Sequence, residues 1–199
     1  MNADLITTRI LDQIEKESGL ELARTYLDIS KIAGCPRAAV NEYNSGLTPT
    51  PTGHRMAYAG YEQERSIARL LCNAGVFQEG SAGREVVAPF DDRLRGHIDG
   101  LTINNELLKI NSLSISKFEM LQAANLPLKN HVVQTQLYLH YGHWKKAFLI
   151  YRCRDTYEHA VMPITYNEDM AVRYERKAKQ ILQAIDDCVL PPCTCSHCK

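Results

Sequence analysis

The stretch Arg95 to Ser112, RGHIDGLTINNELLKINS, constrains the chain more than any other. Strand-forming residues run up to Asn104-Asn105 and away from it, and asparagine tolerates the positive φ that a tight hairpin needs. Side chains alternate faces along a strand, so His97 and Asp99 are expected on one side of a first strand. Leu107, Lys109 and Asn111 are expected on one side of the second. A hairpin that only filled a core would carry Val, Ile or Leu at these positions. Polar residues there mark either a solvated face or a site that gathers charge.

With 199 residues, 45% of them hydrophobic, the chain can bury one good core and is too apolar to be disordered. A single domain over 1–199 is expected. The formal net charge is zero, so bulk electrostatics give no support to a nucleic-acid partner, although a local basic channel is compatible with it. The opening MNADLITTRILDQIEKESG has acids inside its apolar pattern and no long hydrophobic run. It predicts neither a signal peptide nor a membrane span, and a cytoplasmic location.

Seven cysteines in a reducing compartment suit metal ligation better than disulfides. Cys72, on an apolar helix face, and Cys153, in a strand-like run, read as ordinary thiols. Cys188, Cys193, Cys195 and Cys198 crowd the segment DDCVLPPCTCSHCK, where Pro191-Pro192 has stopped the preceding helix. A tail so rich in thiols suggests a bound metal, and four thiolates suit tetrahedral zinc as well as an iron–sulfur cluster.

In chain order, Leu5, Ile6, Ile10, Leu11 and Ile14 have helical spacing over 4–17. Cys35-Pro36-Arg37 opens a short helix. A helix is expected over about 54–74, with His54, Glu62, Glu64 and Arg65 on its polar face. A turn at Gly80–Gly83 leads into three strands that end in the hairpin. Ser114 or Ser116 can cap the next helix, with a break near Pro127, and NHVVQTQLYLHYG then places His131, Gln134 and Tyr138 along one helical stripe. KAFLIYRC reads as an apolar strand, EHAVMPIT as its partner, and 167–188 as a charged last helix. The expected class is mixed α/β, with a central mixed sheet flanked by helices.

Taken together and in order, LDISKIAGCPR, AYAGYEQERSIARLLCNAG, LRGHIDGL, LLKINS, HVVQTQLYLHYGHWKKAFLIY and the cysteine-rich end resemble the PD-(D/E)XK nucleases of the RecB type. More narrowly, they are similar to the iron–sulfur branch of CRISPR-associated RecB-like exonucleases and the AddB nuclease domain, over residues 28–198. The resemblance implies a restriction-endonuclease-like core over 54–165, a C-terminal helix over 166–188, and a metal-cluster lobe in which 28–50 meets 186–199. It implies metal-binding roles for Glu64, four residues after Gly60, and for Asp99 in GHIDG. It places Gln134 and Tyr138 of QTQLY against the active site and the DNA backbone. In such nucleases magnesium or manganese is held by the carboxylates and lowers the pKa of the attacking water, which a lysine helps orient. The resemblance further implies a [4Fe–4S] cluster on Cys35, Cys193, Cys195 and Cys198, with zinc as the alternative metal and Cys188 able to replace Cys193.

The sequence departs from the family at its centre, where Lys109-Ile110-Asn111 stands in place of Glu-x-Lys. At ~4 Å and an effective dielectric of ~20, unit charges interact by about 4 kcal/mol, and a divalent ion by about twice that. Lys109 is therefore expected to pair with Asp99 in the metal's place. Only a β-bulge would bring Glu106 inward to imitate the missing acid. The implied function is a nuclease-family protein acting on DNA ends or single strands with impaired cleavage. The alternatives are an active metal-dependent exonuclease with a variant motif, and a pseudo-nuclease that regulates or inhibits protein partners in DNA repair, recombination or CRISPR systems. Arg37, Arg65, Arg95, Lys117, Lys129, Lys145 and Lys146 are candidates to line a DNA channel, with Tyr43, Tyr58 or Tyr138 stacking on bases.

Overall fold

The computed structural model describes residues 3–17, 26–46 and 50–195. Helix α1 (Ala3–Glu17) is followed by a short strand β1 (Leu27–Asp28), whose Asp28 accepts a hydrogen bond from Ser30 N at 2.8 Å and so caps a 3₁₀ turn, Ile29–Lys31. Pro36 occupies the first turn of α2 (Pro36–Ser45), where its missing N–H is no loss. Thr50 caps α3 (Pro51–Asn73) by accepting from Gly53 N. Then come β2 (Glu85–Val87), β3 (Leu94–His97), β4 (Gly100–Leu101) and β5 (Leu107–Leu113), followed by α4 (Ile115–Ala124), α5 (Lys129–Gly142), β6 (Lys146–Cys153), β7 (His159–Thr165) and α6 (Glu168–Asp186).

Two mixed sheets result. One has the order β4-β5-β6-β7, with β5 and β6 parallel and the outer pairs antiparallel; the other has the order β1-β3-β2, with β1 and β3 parallel. A parallel pair needs a long crossover, and α4 with α5 supplies it between β5 and β6. Because both faces of β5 and β6 are covered, their sequences read as nearly unbroken buried runs. One face carries Leu108, Ile110 and Ile150 against Ile67, Ala68 and Leu71 of α3. The other carries Leu107, Leu149 and Tyr151 against the main core, to which α5 contributes Val133 and Leu137 and α6 contributes Ile181 and Leu182.

The expected hairpin is only half realised. Its second half forms: β4 pairs antiparallel with β5, and Asn105 takes φ 59° in the turn. Its first half does not belong to it, because Leu94 to His97 pair with β1 and β2 in the other sheet. The chain changes sheets between His97 and Gly100. Gly100 is required at this crossing, since a Cβ there would lie 2.3 Å from the Phe77 ring. The expectation that His97 and Asp99 share one side of a single strand fails for this reason. His97 is exposed beside Glu85, whereas the Asp99 side chain turns inward.

The Glu106 bulge is also absent. Residues 107 to 113 of β5 pair one for one with 147 to 153 of β6, and the Glu106 carboxylate is engaged by Lys146 Nζ at 3.1 Å and Thr102 Oγ1 at 3.2 Å. On α3, His54 is buried and Glu64 half-buried, so neither is the solvated residue that helical periodicity suggests. Among the described residues no helix is long and apolar enough to cross a membrane.

Candidate active site and cysteine centre

Asp99 lies in the gap between β3 and β4, where the backbone is free of the ladder and its side chain can turn toward β5. Lys109, in the middle of β5, donates to Asp99 Oδ1 at 2.8 Å and Oδ2 at 2.7 Å, and Ile110 N also donates to Oδ2. The two side chains are 10% and 8% exposed, which makes this a buried ion pair with most of its bonding capacity filled. Helix α5 closes the site from the side. Its Gln134 Nε2 donates to Tyr138 Oη at 3.2 Å, and that hydroxyl presses on Gly96, where a Cβ would lie only 2.5 Å away.

The electrostatics follow from burial. Removal from water works against the charge on Lys109, but Asp99, Glu64 and Asp28 together hold its pKa above the ordinary lysine value. Glu64 is pushed up to about 7, first by burial and then by the negative charge of Asp99, with Lys109 opposing. His131 is pushed down to about 4 by burial and by the cation at Lys109; its ring stacks on Tyr151 and its Nδ1 lies 3.2 Å from the Tyr151 hydroxyl. Asn111 Nδ2 is buried with no partner. A buried donor left unpaired requires an explanation, and an ordered water would satisfy it.

These residues do not fit a divalent metal. Magnesium and manganese require several oxygen ligands. Here both Asp99 oxygens are taken by an ammonium group, and two residues along β5 stands the amide of Asn111, not a further carboxylate.

The cysteine centre is built differently. Cys35 is the N-cap residue of α2, and Arg37 Nε, just inside that helix, donates to Pro191 O at 2.8 Å and ties down the C-terminal segment. Thr194 N then donates to Cys35 Sγ at 3.4 Å, and Cys193 and Cys195 sulfurs lie 3.8 Å apart. The sulfurs of Cys35, Cys193 and Cys195 are all within 4.8 Å of one another. Backbone N–H groups of Thr194 and Ala38 lower the Cys35 thiol to about 5, so it is a thiolate ready for a metal. Zinc–sulfur bonds of ~2.3 Å in a tetrahedron put neighbouring sulfurs ~3.8 Å apart. The trio therefore fits a metal ion that takes one further ligand. Cys198 lies outside the described residues. Cys188 and Cys72 are exposed and Cys153 is buried, and all three lie outside the trio.

Of the sequence-expected site residues, Glu64, Asp99, Lys109, Gln134 and Tyr138 come together, with Asn111 one alternation along from Lys109. Of the seven cations expected to line a DNA channel, four are engaged within the chain. Arg95 is engaged by Glu85 and lies over Tyr26, Arg65 pairs with Glu62, Lys146 pairs with Glu106, and Arg37 holds the tail. Sequence reasoning missed Asp28, whose charge reaches Lys109 and Tyr138. It also missed the cations of α6, whose spacing is that of any solvated helix face.

No protein-family model and no curated protein sequence matches this chain significantly. Solved structures do. An alkaline exonuclease, LHK-Exo from Laribacter hongkongensis, superposes with a TM-score of 0.65 at 12% identity, covering 88% of this chain and 93% of its own; it is also known in complex with dAMP. SSO0001 gives a TM-score of 0.60 at 21% identity over 89% of this chain and 86% of that one. A phage-related exonuclease from Haemophilus somnus 129PT gives 0.52 at 11% identity, over 82% and 94% of the two chains. The chain thus shares its fold with exonucleases of known structure.

Proposed function

We propose that this protein is a RecB-like member of the PD-(D/E)XK nucleases that engages DNA ends or single strands and, with its present residues, cleaves them weakly or not at all. The observation that carries the reading is the pair of hydrogen bonds from Lys109 Nζ to Asp99, at 2.7 and 2.8 Å. In a nuclease of this type a metal between carboxylates lowers the pKa of the attacking water. Here Lys109 neutralises Asp99 at that place, and Asn111 supplies an amide where proton transfer would need an amine. What remains is a binding geometry. The unpaired Asn111 Nδ2 is a donor for a phosphodiester oxygen once the buried site opens to admit one.

Digestion of labelled single- and double-stranded DNA in magnesium or manganese tests the reading. The protein as it stands is expected to show no metal-dependent cleavage, and Lys109→Glu combined with Asn111→Lys is expected to create it, whereas neither change alone does. Digestion by the unaltered protein would overturn the assignment of Lys109. A double variant that binds DNA and metal yet stays inert would show that the loss extends beyond β5.

For the cysteine centre, similarity to the iron–sulfur branch supports a [4Fe–4S] cluster. The 3.8 Å spacing of Cys193 and Cys195 favours a second reading, a single zinc ion, because the thiolates of a cubane sit on different irons. A brown, visibly absorbing sample from anaerobic purification selects the cluster, and a colourless one containing zinc selects the ion.

A further inference from the structure

Several cations among the described residues are matched with acids. Lys109 is held by Asp99, Arg93 by Asp91 and Asp186, Lys146 by Glu106, and Lys179 by Glu175. One group is not. Lys129, Arg173, Arg176 and Lys177 converge on an open cavity of about 560 Å³ bounded by α6, the first turn of α5, and the segments that carry Cys35 and Cys195. No Asp or Glu lines it, and none of the four makes an ion pair with a carboxylate among the described residues.

Steps of three and four residues place Arg173, Arg176, Lys177 and Gln180 on one stripe of α6, while Ala178, Ile181 and Leu182 bury the opposite face. The cations are also positioned. Lys177 Nζ donates to Gly34 O at 2.5 Å, and Arg173 and Lys177 each lie 5.9 Å from the Tyr174 ring. The Cys35 thiolate sets one negative charge against these four cations, the remaining positive charges repel one another, and a further anion relieves that repulsion.

We propose that this cavity binds consecutive backbone phosphates of a single nucleic-acid strand, an inference that rests on the DNA-binding reading above. A basic groove with a helix stripe of this kind suits a strand's backbone and is indifferent to its bases.

The test is equilibrium binding of a labelled single-stranded oligonucleotide to the full chain between about 50 and 200 mM salt. Arg173→Ala with Arg176→Ala is expected to weaken binding about tenfold and to make the log–log salt slope shallower by about 1.4, given ~0.7 per phosphate contact on single strands. Arg173→Lys with Arg176→Lys is expected to keep the slope. Strong binding by the parent with an unchanged slope in the alanine pair overturns the cavity and leaves the DNA reading standing. Absence of binding by the parent even at low salt overturns the DNA reading and the cavity with it. An alanine pair that loses its metal while its slope is unchanged overturns the inference too, and assigns the cations to neutralising the thiolates. Thermal stabilisation of the parent by inorganic phosphate, with no effect of either pair on oligonucleotide binding, makes the occupant free phosphate and overturns the strand.

Discussion

At the residue scale the informative group is Glu64, a half-buried acid raised to about 7 by burial and by Asp99. Its folded-state pKa lies above the unfolded value of 4.5, so between these values the folded chain binds more protons than the unfolded one. Stability from this residue is therefore highest below pH ~4.5, falls as pH rises toward ~7, and stays low above it. His131 acts in the opposite sense. Its folded pKa is depressed to about 4, so its contribution is lost as pH falls from 6.5 through 4. The two overlap, and only a difference between variant and parent separates them. Glu64→Gln is expected to unfold at higher denaturant than the parent at pH 8, by on the order of 2 kcal/mol, and to lose that advantage at pH 4.5. An equal effect at both pH values would mean that Glu64 is solvated. The sequence could not show this environment, because a lone Glu on a helix looks the same whether water or an Asp faces it. Lys109 was more legible: a cation on the inner face of a strand opposite Asp99 has few arrangements open to it. The unpaired nitrogen of Asn111 was not legible at all, since satisfaction of a donor depends on every neighbour and not on its own position.

At the element scale the strands were mostly visible, while their division between sheets was not. Alternation runs through Arg95 to Leu101 without a break, and the signal for a crossing is only the glycine at 100. What separates the sheets is competition: β1 and β2 offer β3 partners on both sides, so β3 cannot also continue along β5. Helix α5 then docks where the strands part. Gly96 makes that docking possible, because the Tyr138 hydroxyl, Cε1 and Cζ lie 2.5, 3.1 and 3.2 Å from where a Cβ would stand. Tyr138 is 1% exposed and has no room to retreat. Gly96→Ala is expected to destabilise the fold by about 1–3 kcal/mol through overpacking. Removing the hydroxyl takes away the closest clash, so the same substitution should cost less in a Tyr138→Phe background. Chemical denaturation of the four proteins of this cycle measures the coupling. Strict additivity would show that α5 shifts freely and that the contact does not set its place.

At the scale of the whole molecule, the C-terminal segment is drawn back onto the segment that opens α2. Arg93 joins Asp91 to Asp186, Arg37 holds Pro191, and the sulfurs of Cys193 and Cys195 meet Cys35. The first two contacts are a partly exposed ion pair and a single hydrogen bond, each worth about 1 kcal/mol or less. A metal held by the trio would be the stronger clasp, because it would bind the folded arrangement and not the separated thiols of the unfolded chain. At a free concentration 100-fold above its dissociation constant it adds about 2.7 kcal/mol, and in a chain of this size that corresponds to about 5–10 °C in Tm. Cys35→Ser is expected to abolish stoichiometric metal and to lower Tm by that amount, and a chelator should bring the parent to the same Tm. Cys188→Ser should retain metal and Tm, since its exposed thiol stands apart from the trio. Metal analysis with thermal melts of the three proteins decides it. Loss of metal from Cys188→Ser would move the centre toward the end of α6, whereas full metal content in Cys35→Ser would remove the link between the two ends of the chain.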